Sequence, residues 1–130
     1  MDPRLRDYFD QQLDQVLAVL PEQAHRLLDE IPLYVEDYPS PQIMAKTGVH
    51  DRRQLCGLYT GVPLGQRSIE LSGILSDAIR IYREGILALA SDRYGQVDQD
   101  ELRRQIRITI LHELGHHFGM TEDELRELGY

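Results

Sequence analysis

At 130 residues, 42% of them hydrophobic, the chain is long enough for one domain with one core and too short for two, so a single domain over residues 1–130 is expected. A formal charge of −8, with arginines interleaved among acids, argues against nucleic acid as a partner. The charged start Met1-Asp2-Pro3-Arg4-Leu5-Arg6-Asp7 lacks a signal peptide's apolar stretch, and no later run approaches the roughly 20 apolar residues of a membrane span; a soluble, cytoplasmic protein with no membrane partner is expected.

From Leu5 to about Leu20 the residues Leu5, Phe9, Leu13, Val16, Leu17 and Leu20 recur at three- and four-residue steps, predicting an amphipathic helix. Pro21 suits the first turn of a second helix that continues to Leu28. Leu33-Tyr34-Val35-Glu36 reads as a strand, closed by the turn Tyr38-Pro39-Ser40-Pro41, and Pro41 to Thr47 as a brief helix stopped by Gly48. The glycines of Leu55 to Gly65, together with Pro63, predict a short strand running into a tight turn or an edge position. Their spacing has neither the Lys-Ser/Thr ending of a phosphate loop nor GxGxxG, so nucleotide binding is not expected. Cys56, the only cysteine, can form no internal disulfide and reads as a small packed apolar side chain, so any metal must rest on His and carboxylates.

Ala78 to Tyr82 alternates as a strand with Ile79 and Ile81 inward, and Glu84 to Ala90 turns helical. The run Gln105 to Leu111 also alternates, but its surroundings are those of a helix. Asp98 with Glu101 resembles a capping box, acids crowd the start, and Gly119 stands where a helix would stop. One long, largely buried helix is therefore expected from Asp98 to Phe118. Arg103, Arg104 and Arg107 read as its solvated face, paired with Asp100 and Glu101.

That helix carries His112-Glu113-Leu114-Gly115-His116, an HExxH. Residues four apart lie about 40° apart around a helix, so both imidazoles can reach one metal ion. Glu113 lies about 100° from His112 around the helix, which in HExxH enzymes places the carboxylate over the metal-bound water instead of on the metal, and it is the candidate general base. Zinc also needs a third protein ligand and an open position at which water is acidified to about pKa 7. His117 is turned about 100° from His116 and reads as a packing or supporting residue; His25 and His50 read as ordinary surface or core residues.

The full run His112-Glu113-Leu114-Gly115-His116-His117-Phe118-Gly119-Met120-Thr121-Glu122-Asp123 resembles the zincin signature HExxHxxGxx followed by a ligand. Glu122 stands at the ligand position and Asp123 one step on; either could be the third ligand, and the same acids also suit Thr121 as the cap of a final helix running to Leu128. With Gly57-Leu58-Tyr59-Thr60-Gly61-Val62-Pro63-Leu64 and Ile79-Arg80-Ile81-Tyr82-Arg83-Glu84, the chain resembles the small bacterial zincin-like metallopeptidase family over roughly residues 5 to 130. The resemblance implies an α+β fold, a small mixed β-sheet flanked by helices with the HExxH helix beneath it, and Zn²⁺ as cofactor.

The function expected is zinc-dependent hydrolysis of a peptide or protein substrate. Its backbone would pair with an exposed edge formed by Leu55 to Thr60 or Ala78 to Tyr82, and Tyr59 and Tyr82 are candidates for steadying the oxyanion. The alternative is a non-catalytic module that binds metal or peptide on the same scaffold. Either would be a monomer, or an oligomer whose order the sequence does not define.

Overall fold

A computed structural model describes residues 1–61 and 77–130. Helix α1 (Pro3–Ala18) begins at Asp2, whose carboxylate accepts the Arg4 N–H, and buries Phe9, Leu13 and Val16 along one face. A side chain buried to that degree contributes roughly 1.5–3 kcal/mol. Helix α2 (Glu22–Glu30) starts one residue later than its proline suggested: Pro21 is the cap residue, with its carbonyl accepting the Ala24 and His25 N–H groups. Strand β1 (Leu33–Glu36) and helix α3 (Pro41–Thr47) follow as expected, the helix capped by Ser40 and ended by Gly48.

Of the predicted strand from Leu55, the part from Gly57 to Thr60 forms β2; Val62 to Gly65, with the predicted tight turn, lies outside the described residues. Strand β3 (Ala78–Tyr82) runs between the other two, in the order β1-β3-β2. It pairs parallel to β1 and antiparallel to β2, so the sheet is mixed, as expected. The central place explains why only Arg80 of its five residues is not fully buried. It also removes Ala78 to Tyr82 as a docking edge for a substrate, because both sides of β3 are already hydrogen-bonded. Among the described residues, β2 is paired on one side alone.

Helix α4 (Arg83–Leu89) leads directly off β3, and the long helix α5 (Gln99–His117) underlies the sheet. Leu102, Ile106, Ile110 and Leu114 of α5 join Phe9, Leu13, Val16, Ile79, Ile81 and Ile86 in one core. A continuous stripe of that kind outweighs the strand preference of the isoleucines. The capping box expected at its start does not form. Asp98 is the cap residue but its side chain makes no cap hydrogen bond, and Glu101 is taken by Gln105 and Arg104. Helix α6 (Glu122–Glu127) closes the fold and buries Leu125 against α5. Among the described residues no helix is long and apolar enough to cross a membrane.

A charged cluster ties the start of α1 to the end of β1 and the start of α4. Asp37 accepts hydrogen bonds from Arg6 (2.6 and 3.1 Å) and Arg83 (3.0 Å), while Arg83 also bonds Asp10. Arg6 above all, with Arg83, holds the Asp37 carboxyl below its ordinary pKa.

Candidate metal centre

Two turns of α5 present His112 and His116 to a cleft of about 630 Å³, with their side chains 24% and 27% exposed. Their Nε2 atoms stand 3.2 Å apart. Glu122, the first residue of α6, brings Oε1 to 2.8 Å from His116 Nε2 and 3.2 Å from His112 Nε2. Three donor atoms thus form a triangle with sides of 3.2, 2.8 and 3.2 Å. Donors around a tetrahedral zinc with bonds of 2.0–2.1 Å are separated by about 3.3 Å, so the triangle has the size such an ion requires. Asp123 does not join it: its side chain is 92% exposed and faces Arg126 at 3.8 Å.

Glu113 lies beside the triangle, and its carboxylate falls within 4.8 Å of donor atoms of both histidines, a grouping able to hold a metal. It differs from Glu122 in being buried, with Oε2 lacking a hydrogen-bond partner among the described residues. Burial, reinforced by the nearby charge of Glu122, pushes its pKa up to about 7, while a hydrogen bond from the Tyr59 main-chain N–H opposes the rise. Strand β2 can come this close because Gly57 has no side chain. A Cβ there would stand 2.7 Å from Thr109 Cγ2 and 3.2 Å from Glu113 Cγ.

The β2 register decides which main-chain groups face the cleft. Cys56 accepts the Tyr82 N–H, and Leu58 and Thr60 oppose Arg80 and Ala78 as the next pairs in the same phase. The alternate residues Gly57 and Tyr59 therefore turn their N–H and C=O groups away from β3. A second cavity of about 250 Å³, lined by Gln105, Ile108 and Tyr130, shares Gly57, His112 and Glu113 with the cleft. Cys56 borders it as a half-buried thiol packed on the core, pushed up to about pKa 11 by burial and by the Glu113 charge.

A family model for zincin-like metallopeptidases matches residues 28–130. The chain belongs to the zincin-like metallopeptidase family. No curated protein matches it. The match begins within α2, so α1 lies outside it, although Phe9, Leu13 and Val16 of α1 are part of the core beneath the zincin-like site.

The remaining candidates divide clearly in this zincin-like structure. Tyr82 is fully buried in the central strand, with its hydroxyl pushed up to about pKa 12 by burial, and cannot meet a substrate oxyanion. Tyr59 lines the cleft, but its hydroxyl donates to Asp77 Oδ1 at 3.0 Å and lies 3.1 Å from His117 Nδ1. His117 is thus a bonded, buried imidazole next in sequence to His116. His25 and His50 are exposed. Arg104 pairs with Glu101 as expected, whereas Arg103 bonds Gln12 of α1 at 2.6 Å, and neither they nor Arg107 line the cleft. Sequence reasoning missed Asp77, for which no local signal exists: it precedes β3 by one residue and meets His117 only through the tertiary fold.

Proposed function

We propose that the chain is a zinc-dependent peptidase in which His112, His116 and Glu122 hold the ion and Glu113 moves the proton. The observation that carries this reading is the convergence of Glu122 Oε1 on both imidazole Nε2 atoms beside a buried carboxylate oxygen with no partner among the described residues. Family membership supports the same chemistry at the level of the class. Zinc, when bound, would supply the Lewis acidity that polarises the scissile carbonyl.

The other work falls to the chain's own groups. Glu113, whose affinity for protons is raised by burial, accepts the proton of the attacking water and passes it to the departing amine. Its Oε2, which has no hydrogen-bond partner among the described residues, is the atom available for this. The outward main-chain groups of Gly57, with the Tyr59 C=O, orient an extended peptide along β2, and the second cavity receives a side chain beyond the scissile bond. His112 and His116 act as neutral ligands, with metal and proton competing for the same nitrogens.

The decisive experiment loads wild type and Glu113→Gln with zinc and incubates both with a broad peptide library. Cleavage by wild type, lost in Glu113→Gln at equal zinc content, is the expected result. Stoichiometric zinc with no cleavage of any peptide would leave a metal- or peptide-binding module in place of the enzyme.

A further inference from the structure

We propose that Tyr59, His117 and Asp77 form a brace that sets the position of β2 over the last turn of α5, and that the affinity of the metal centre depends on it. This goes beyond the catalytic reading, although its consequence for zinc rests on His112, His116 and Glu122 being the ligands.

Tyr59 holds the end of α5 through its side chain, whose hydroxyl meets His117 Nδ1 at 3.1 Å. His117 directly follows His116, so this contact restrains the turn that carries that imidazole. The Tyr59 and His117 rings also meet edge to face, with centroids 5.6 Å apart. On the other side, the Tyr59 hydroxyl bonds Asp77, one residue before β3, whose ladder with β2 begins at the Thr60–Ala78 pair. The connection therefore runs from the central strand through Asp77 and Tyr59 to the end of α5.

The protons are consistent with that direction. An ionised Asp77 can only accept, so Tyr59 donates to it, and the tyrosine oxygen then accepts from His117 Nδ1–H. His117 is 5% exposed, and a buried imidazole is costly unless bonded, so the cluster resists rearrangement as a unit. Twisting the last turn of α5 would move His116 Nε2 relative to the other two donors, whose separations are 3.2 Å from His112 and 2.8 Å from Glu122. Tyr59 is in this view a positioning residue. An oxyanion donor would behave differently, because its loss would slow turnover and leave metal binding intact.

The test uses the whole protein: wild type, Tyr59→Phe, Asp77→Asn, and Val16→Ala as a core variant remote from the cleft. Zinc dissociation constants come from competition with a chromophoric chelator, site geometry from the visible absorption of the cobalt(II)-substituted protein, and stability from melting of the metal-free forms. Tyr59→Phe and Asp77→Asn are expected to weaken zinc about 10–100-fold and alter the cobalt spectrum, while Val16→Ala melts earlier with zinc affinity unchanged. Wild-type affinity and spectrum in Tyr59→Phe would overturn the brace while leaving the metal centre standing. An equal loss of affinity in Val16→Ala would also overturn it, as would failure of both cluster variants to fold. A wild type that binds no zinc would instead overturn the ligand assignment, and the proposed consequence with it.

Discussion

The Glu122 carboxylate stands 2.8 Å from His116 Nε2 although the two residues belong to different helices. Gly119, at φ 79°, ends α5, and the Met120 N–H returns to the Gly115 carbonyl at 3.1 Å, reversing the chain within a few residues. Thr121 and Glu124 then form a reciprocal capping box for α6. Because those two residues satisfy the helix start, Glu122 is left to face the imidazoles. Thr121 caps the final helix as the sequence suggests, while Glu122 faces the two imidazoles.

Glu122→Ala should therefore lower zinc affinity by more than the 10–100-fold typical of losing a supporting partner. Asp123→Ala should leave it unchanged, as expected of an exposed side chain. Chelator competition on the two proteins checks this, and the reverse order would move the third ligand to Asp123.

Packing between the helices sets the same geometry. A Cβ at Gly115 would collide with the fully buried side chain of Leu125 on α6. Gly115→Val gains a few tenths of a kcal/mol in helix propensity but should lose about 1–3 kcal/mol to overpacking. Since the displaced helix carries Glu122, zinc affinity should fall together with the melting temperature. Unaltered zinc binding in a destabilised Gly115→Val would show that α6 can shift without moving its carboxylate.

Glu113 gives the metal-free protein a pH signature. Its folded pKa of about 7 lies above the ordinary 4.5, so its stabilising contribution is complete below about 4.5 and is lost as pH rises through 7. In EDTA, the stability of Glu113→Gln relative to wild type should increase between pH 5 and pH 8, by on the order of 3 kcal/mol at most. Urea titrations at the two pH values measure the difference, and a constant offset would contradict burial as the source of the shift.

Asp37 works in the opposite sense. Arg6, foremost, and Arg83 hold its pKa below the ordinary 3.8, so its contribution is present above that value and disappears as pH falls through the lowered one. Asp37→Asn should cost about 1–3 kcal/mol near neutrality, with the deficit shrinking in acid below about pH 4. Thermal melts across this range would show parallel curves if the cluster did not contribute.

Much of this molecule is written locally. The three- and four-residue steps of α1, the Gly48 stop of α3, the alternation of Ala78 to Tyr82 and the Gly119 stop each involve near neighbours in sequence, and each element forms where its signal lies. The pairing of His112 with His116 is of the same kind, because helical geometry alone brings residues four apart together. The capping box failed at Asp98 and formed at Thr121 because Glu101 was captured by Gln105 and Arg104, a competition between side chains that a spacing pattern does not rank.

What tertiary structure alone decided depends on distant contacts. The central position of β3 closed one predicted docking edge and left β2 as the strand beside the cleft. Packing of α6 on α5 brought Glu122 to the imidazoles and left Asp123 in solvent. Tyr59, Asp77 and His117 met across as many as 58 residues, where no periodicity or cap connects them and the pairing of β2 with β3, together with their own hydrogen bonds, brings them into contact.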